Sequence, residues 1–192
     1  VIFIDENVIR ERQQKDEMAK TIQLAMDEDR VEVFYQPIYG VKEQRFVAAE
    51  ALVRIRNTDG SLLSPGLFIP IAETNGSINR LGEIVFAKTC HFLRNYNITQ
   101  MGMRCIDVNL SVEQCEQEHL AERYIHIMKE SGTDPSQINL EITETASIKT
   151  RKNMLKNMEK LIAYGVEFSL DDFGNGESNL NYIVDMPVQV VK

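Results

Sequence analysis

Residues 138–172 read INLEITETASIKTRKNMLKNMEKLIAYGVEFSLDD and contain one complete strand–helix–strand repeat. The short apolar run over residues 138–143 predicts a strand. Residues 149–164 follow with Met, Leu and Ile side chains at helical spacing, and Gly165 is expected to cap the end of that helix. Residues 166–170 predict the next strand. A repeat of about thirty residues is typical of a βαβ unit, so the two strands should be parallel with a right-handed crossover.

The same alternation of strands and helices continues on the N-terminal and C-terminal sides of this repeat. Further strands are predicted over residues 31–38, 46–55, 103–110 and 188–191. Helices are predicted from Ser64-Pro65 onward and over residues 78–96 and 120–129. About six strands in this order predict an α/β fold with a largely parallel sheet. Both a (β/α)8 barrel and an open doubly wound sheet fit that alternation.

Polar and mostly acidic side chains close or directly follow the apolar runs of successive predicted strands. They are Glu50, Asn109, Glu141, Asp171, Asp172 and Lys192. Side chains at successive strand ends meet only if the strands are parallel and the sheet curls, which favours the barrel over the open sheet. Carboxylates that gather in one pocket repel each other unless a cation lies among them. The sequence therefore predicts a metal site at the mouth of a barrel.

The composition limits the classes of function. With 43% hydrophobic and 26% charged residues among 192, the chain is typical of a soluble globular domain. Its net charge of -8 argues against binding to nucleic acid, which depends on Lys and Arg beside the phosphates. No apolar stretch approaches the roughly 20 residues of a membrane helix. Cys90, Cys105 and Cys115 show no metal-binding spacing and predict reduced thiols, so a cytoplasmic location is expected.

The first thirty residues differ from the rest of the chain. Residues 7–29 mix charges with a thin apolar stripe at helical spacing, which consists of Met18, Ile22, Ala25 and Met26. Residues 1–30 are therefore expected to form a connecting helix from an upstream domain, and residues 31–192 to form the next domain. A coiled coil is the alternative, although the segment has too few heptads to favour it.

A set of short motifs occurs in order from residue 31 to the end of the chain. It begins with Tyr35-Gln36-Pro37-Ile38, Glu50-Ala51-Leu52-Val53-Arg54, Pro65, Phe68-Ile69-Pro70 and Ala72-Glu73. It continues with Val108-Asn109-Leu110-Ser111, Leu140-Glu141-Ile142-Thr143-Glu144, Asp171-Asp172-Phe173-Gly174 and Val191-Lys192. In this order the motifs resemble those of the EAL domain family of cyclic di-GMP phosphodiesterases.

The resemblance implies a (β/α)8 barrel that hydrolyses cyclic di-GMP to the linear dinucleotide pGpG with two Mg2+ or Mn2+ ions. The metal ligands implied by the resemblance are Glu50, Asn109, Glu141 and Asp171, with Asp172 at the second ion. All of these residues offer oxygen atoms, which hard divalent cations prefer. Asp172 could instead turn outward, because adjacent residues on a strand point to opposite faces.

The resemblance also assigns roles around the metal ions. The catalytic residues are then Glu50 and Lys192, with Lys192 positioning the attacking water. The residues that contact the dinucleotide are Gln36, Leu52 and Arg54, although Gln36 could equally bond the backbone at the barrel mouth. Glu73 and Glu144 are expected to support the metal ligands.

The loop after Asp172 departs from the family pattern. Residues 175–179 read NGESN where the family usually has Thr-Gly-Tyr-Ser-Ser, and Glu177 puts a charge where an aromatic side chain is expected. In the family that loop supports the aspartates and a homodimer contact, so altered metal binding or dimerisation is expected. The alternative function is a degenerate domain that senses cyclic di-GMP, or binds only another protein, without hydrolysis.

The family's barrel also continues beyond the position of Lys192, with two further strands that carry a glutamate and a glutamine. Residues 1–192 are therefore expected to be a C-terminally truncated piece of a bacterial protein with a GGDEF domain upstream. The alternative is that a partner chain supplies the missing part of the barrel. That parent protein could be membrane-anchored by an upstream region. Little or no activity is expected of the piece by itself, and its exposed strand edges could drive association.

Overall fold

A computed structural model describes residues 6–143, 152–171 and 186–192. Three sequence predictions fall outside these ranges: the second-ion ligand Asp172, the supporting residue Glu144 and the unusual loop at 175–179. The strands are β1 (Val31–Gly40), β2 (Arg45–Arg56), β3 (Leu62–Leu63), β4 (Cys105–Asn109), β5 (Ile138–Thr143), β6 (Glu167–Asp171) and β7 (Val190–Val191). The α-helices are α1 (Glu6–Asp27), α2 (Pro65–Asn75), α3 (Ile78–Asn95), α4 (Val112–Cys115), α5 (Leu120–Ser131) and α6 (Lys152–Tyr164), and Pro135–Gln137 is a 3-10 helix.

All described strands belong to one sheet, ordered β1-β2-β4-β5-β6-β7, with the short β3 paired to β2. The sheet is parallel from β2 to β7, as the alternation of strands and helices predicts. β1 is antiparallel to β2 because the two strands are joined by a short turn. The six strands expected from the sequence are therefore present among the described residues, and β3 is an addition.

Two of the acidic residues expected to close strands lie inside them. Glu50 is in the middle of β2, because that strand continues to Arg56 in antiparallel pairing with β1 and β3. Glu141 is likewise inside β5. The parallel pairing of β2 with β4 nevertheless ends one residue after Glu50, so Glu50 lies at the end of the parallel part of its strand.

The sheet curls, as a barrel requires. β4 and β7 are separated by two strands, which in a flat sheet would place them about 14 Å apart. Lys192 directly follows β7, yet its Nζ lies 2.5 Å from Asp107 Oδ2 on β4. A lysine and an aspartate side chain together are shorter than the flat-sheet gap, so the sheet must bend around them. This contact excludes a flat, open sheet.

The predicted apolar stripe of α1 is confirmed for its C-terminal half. Ile22, Ala25 and Met26 are buried in the single hydrophobic core, while residues 7–17 are exposed. α1 packs mainly against α2, and Arg80 and Lys88 of α3 form ion pairs with Asp27 and Asp29 at its end. The end of the helix is thus an integral part of the fold. Among the described residues no helix is both long and apolar enough to cross a membrane.

Candidate active site

Five polar side chains form a closed ring inside the curled sheet, called here the interior ring. It consists of Asp107, Asn139, Ser169, Glu141 and Lys192. Asn139 Nδ2 donates to Asp107 Oδ1 and to Ser169 Oγ, both at 2.9 Å. Ser169 Oγ donates a long bond of 3.5 Å to Glu141 Oε1, and Lys192 Nζ contacts the Glu141 carboxylate as well as Asp107. All members except Lys192 are buried.

A second polar layer, called here the rim, consists of Asn109 and Asp171, two residues after Asp107 and Ser169, together with Glu50 of β2. Asn109 and Asp171 end β4 and β6, and Glu50 precedes the last parallel pair of β2. Asn109 Nδ2 donates to Glu50 Oε1 at 2.7 Å. Asn109 is exposed, and Glu50 and Asp171 are half-buried. The rim is therefore more accessible to a ligand than the buried Asp107, Asn139 and Ser169.

Side chains two residues apart on a strand point to the same face of the sheet, which places both polar layers inside the curled sheet. Asp107 and Asn109 share one face of β4, and Ser169 and Asp171 share one face of β6. Sequence reasoning missed Asp107, Asn139 and Ser169 because each lies within an apolar run rather than at its end. The signal that could have found them is the polar residue two positions before each predicted ligand on β4, β5 and β6.

A cavity of about 560 Å³ opens beside the rim, within the range of small-molecule sites. Predicted site residues on its wall are Leu52, Arg54, Glu73, Asn109 and Glu141. Apolar residues of α2 and α3 complete much of the remaining wall. The structure thus brings substrate-binding candidates and metal-ligand candidates to one space. Glu50, Gln36, Asp171 and Lys192 do not line this cavity.

Arg54 lies four residues after Glu50 on β2, and Gln36 lies beside Glu50 on β1. The Arg54 guanidinium carbon is 5.7 Å from the centre of the Phe34 ring, and its Nη1 donates to the Val53 carbonyl at 2.8 Å. The remaining guanidinium donors are available to a phosphate. Gln36 is exposed on β1 and pairs in register with Glu50, which leaves its substrate role a prediction.

The position of Asn109 is supported by a capping box just after β4. Ser111 caps α4, with its Oγ accepting from Gln114 N at 3.4 Å and its N–H donating to Gln114 Oε1 at 2.9 Å. The buried Gln114 side chain packs against Gly82 of α3, where an added Cβ would meet Gln114 Nε2 at 1.7 Å. Gly82 therefore leaves the space that the Gln114 side chain occupies between α3 and α4.

The electrostatics of the interior ring favour a cation beside Glu141. Burial raises the pKa of Glu141 from its usual 4.5 to about 7, and the nearby Asp107 and Asp171 charges act in the same direction. The hydrogen bond from Lys192 lowers the pKa of Glu141 but does not cancel this. For Lys192, burial lowers the pKa, and the bonds to Asp107 and Glu141 outweigh it, so the net shift is upward. Burial and the neighbouring Glu113 also raise the pKa of Glu73.

The donor atoms of the rim and of Glu141 fit a hard divalent cation, since all are carboxylate or amide oxygens. Within residues 6–143, 152–171 and 186–192, no three His, Cys, Asp or Glu side chains lie close enough together to hold a metal ion. Glu141 is instead bonded to Lys192, and Asn109 bridges to Glu50. A divalent ion at this place would have to replace one or both of these contacts.

Comparison with known proteins places this fold and site in a family. Over its full length the chain is 32% identical to probable cyclic di-GMP phosphodiesterase PdeI of Escherichia coli, of which it covers 25%. It is 30% identical to cyclic di-GMP phosphodiesterase NbdA of Pseudomonas aeruginosa, with 99% of the chain and 24% of NbdA covered. The chain thus spans about a quarter of the length of these curated relatives.

The solved structures agree with the sequence comparisons. The structure of the PaMucR phosphodiesterase in complex with c-di-GMP matches with a TM-score of 0.82 at 29% identity, over 91% of this chain and 71% of that one. The FimX EAL domain of Xanthomonas citri shares the fold, with a TM-score of 0.81 at 15% identity over 95% of this chain and 70% of that one. The sequence profile of the EAL domain matches residues 19–192. The chain therefore belongs to the EAL domain family.

Proposed function

We propose that this chain is the phosphodiesterase domain of a protein that hydrolyses cyclic di-GMP to pGpG with divalent metal ions. The observation that carries the proposal is the shared location of an oxygen-rich rim and a cavity that presents Arg54, Asn109 and Glu141. Cyclic di-GMP phosphodiesterases among the relatives, and c-di-GMP in the PaMucR complex, support the choice of substrate.

In this proposal Mg2+ or Mn2+, two ions in all, would be held by Glu50, Asn109, Glu141, Asp171 and Asp172. Bound there, the ions would supply charge neutralisation at the phosphoryl oxygens and lower the pKa of water. Oxygen-only ligands suit both metals. The competition of Lys192 for Glu141 is consistent with a site that changes its contacts when it is loaded.

The side chains of this chain have the remaining roles. Arg54 binds a phosphate through paired hydrogen bonds, and Leu52 provides an apolar wall for the dinucleotide. Lys192 holds the attacking water, and Glu50 orients it from the rim. The water oxygen forms a bond to phosphorus, the bond from phosphorus to the 3′ oxygen breaks, and that oxygen takes a proton. Cleavage of this one phosphodiester bond opens cyclic di-GMP to the linear dinucleotide.

The remaining assignments belong to the same proposal. Gln36 contacts the substrate at the mouth, and Glu73 and Glu144 support the metal ligands. The protein acts in the cytoplasm as a homodimer, with a GGDEF domain upstream. The connecting segment is residues 1–30, and residues 31–192 belong to the catalytic domain.

The proposal is tested by hydrolysis of cyclic di-GMP by the full-length protein, with Mg2+ and with EDTA. Glu50→Gln should lower kcat by more than about 100-fold, since even residues that only orient metal ligands are worth 10- to 100-fold. Glu43→Gln is the matched control, because Glu43 lies in the exposed turn between β1 and β2. Tight binding of cyclic di-GMP without turnover at saturating Mg2+ would instead identify a non-hydrolysing sensor.

A further inference from the structure

Asp107 is a buried carboxylate that belongs to none of the roles above. It is 2% exposed and does not line the cavity. Its Oδ1 accepts from Asn139 Nδ2 at 2.9 Å and from the Cys105 thiol at 3.6 Å. Its Oδ2 lies 2.5 Å from Lys192 Nζ. Asn139 is on the neighbouring strand β5 and Cys105 is on the same strand as Asp107, so the carboxylate is held in place where it meets the lysine.

The contacts of Lys192 divide between two carboxylates with different surroundings. Both belong to the interior ring, but Glu141 lines the cavity beside Asn109, whereas Asp107 is buried away from the cavity. Without Asp107, the lysine would have Glu141 as its one carboxylate partner in the described part of the site. An ammonium group paired only with Glu141 would compete with a divalent ion for the same oxygens and would repel it.

We propose that Asp107 is a positioning residue that supplies the counter-charge of Lys192 and holds its ammonium group in the interior, so that Glu141 is available to a divalent cation. This inference rests on the proposed metal-dependent function. A divalent ion that binds at Glu141 then displaces only one of the two carboxylate contacts of Lys192. The lysine keeps a buried partner and remains beside the site.

The isosteric variant Asp107→Asn isolates this role. The new side chain retains an oxygen for Asn139 but loses the negative charge toward Lys192. Asp29→Asn is the matched control, because Asp29 forms a comparable pair with Lys88 at 2.6 Å on the surface, where its side chain is 84% exposed. Both substitutions change the net charge equally, and only Asp107 touches the lysine of the site.

The measurement is Mn2+ binding to the full-length protein without substrate, by isothermal titration calorimetry or electron paramagnetic resonance. Asp107→Asn should raise the Kd for Mn2+ by about 10- to 100-fold, as loss of a group that orients a metal ligand does. Asp29→Asn should leave it unchanged. Adding Lys192→Met to Asp107→Asn should restore most of the affinity, because the uncompensated ammonium is removed.

If Asp107 has a purely structural role, the added Lys192→Met substitution should not restore the affinity for Mn2+. An unchanged Kd in Asp107→Asn, or equal weakening in the single and double variants, would overturn the inference. If the unaltered protein does not bind Mn2+, the proposed metal-dependent function fails instead. The pairing of Asp107 with Lys192 is then judged from lysine reactivity.

That second measurement needs no metal. Reductive methylation of Lys192, followed by mass spectrometry in EDTA, reports how firmly the ammonium group is held. Asp107→Asn should speed the reaction by about threefold or more, the effect of losing a partly exposed ion pair, and Asp29→Asn should not. Equal rates in all three proteins would show that Asp107 does not hold the lysine.

Discussion

On β4 and β6 the rim residues lie two positions after residues of the interior ring, yet the two layers differ in burial and in bonding. Asp107, Asn139, Ser169 and Glu141 are buried and linked to one another or to Lys192. In the rim, the described contact is the single bond between Asn109 and Glu50. The difference fits the proposed division of tasks, in which Asp107, Asn139 and Ser169 fix geometry and charge, and the rim and Glu141 exchange ligands.

Replacing one asparagine of each layer by alanine should have the largest effect and should separate stability from metal binding. Asn139→Ala should lower the free energy of unfolding by about 2–4 kcal/mol, because it leaves the buried Asp107 Oδ1 with only the weak thiol donor of Cys105 and opens a cavity. Asn109→Ala should change it by less than about 0.5 kcal/mol, since the side chain is exposed, while weakening Mn2+ binding. Urea denaturation and Mn2+ titration of both variants test this. Equal losses of stability would remove the distinction between the layers.

The rim residue Asn109 is also supported by the capping box of Ser111 and Gln114, and Gly82 leaves space for the Gln114 side chain. Gly82→Ala should cost about 1–3 kcal/mol of stability, because the new Cβ forces the buried Gln114 side chain out of its bond to Ser111. The control is Gly66→Ala in α2, where the nearest atom to a new Cβ is 3.9 Å away. That change should be neutral or stabilising. Denaturation curves that rank the two variants the other way would contradict the packing argument.

Protonation of Glu141 should make the stability of the metal-free protein depend on pH. Its pKa is about 7 in the folded state against 4.5 ordinarily. Between those values the folded protein holds a proton that the unfolded chain has released, so the contribution of Glu141 to stability is fully present below pH 4.5 and is lost as the pH rises through 7. One such group contributes up to about 1.4 kcal/mol per pH unit. Denaturation in EDTA from pH 5 to 8 measures this slope, which Glu141→Gln should abolish.

Within the interior ring, the smallest loss of stability is expected at Ser169. Ser169→Ala removes one acceptor of Asn139 and the long 3.5 Å bond to Glu141, while the bond from Asn139 to Asp107 remains. The expected loss is about 1 kcal/mol, measured by urea denaturation. A loss as large as that of Asn139→Ala would show that the interior ring acts as one cooperative unit rather than through its strongest bonds.

The sequence predicts the strand order and much of the rim, because these follow from local patterns. Asn109 and Asp171 end apolar runs, and the stripe at Ile22 and Ala25 shows which face of α1 is buried. The interior ring could not be found in the same way, because Asp107 and its partners interrupt apolar runs without ending them. The contact of Gly82 with Gln114 has no local signal, since it arises only when α3 meets α4.

The two-residue spacing of the layers has a consequence for protein engineering. A slip of one residue in β4 would turn both of its polar side chains out of the barrel, and such a chain should not fold. A slip of two residues, about 6.6 Å along the strand, would keep every side chain on its own face and bring Asp107 to the place of Asn109. Paired deletions and insertions at the ends of β4 therefore offer a way to convert an amide at the mouth into a third carboxylate without redesigning the core.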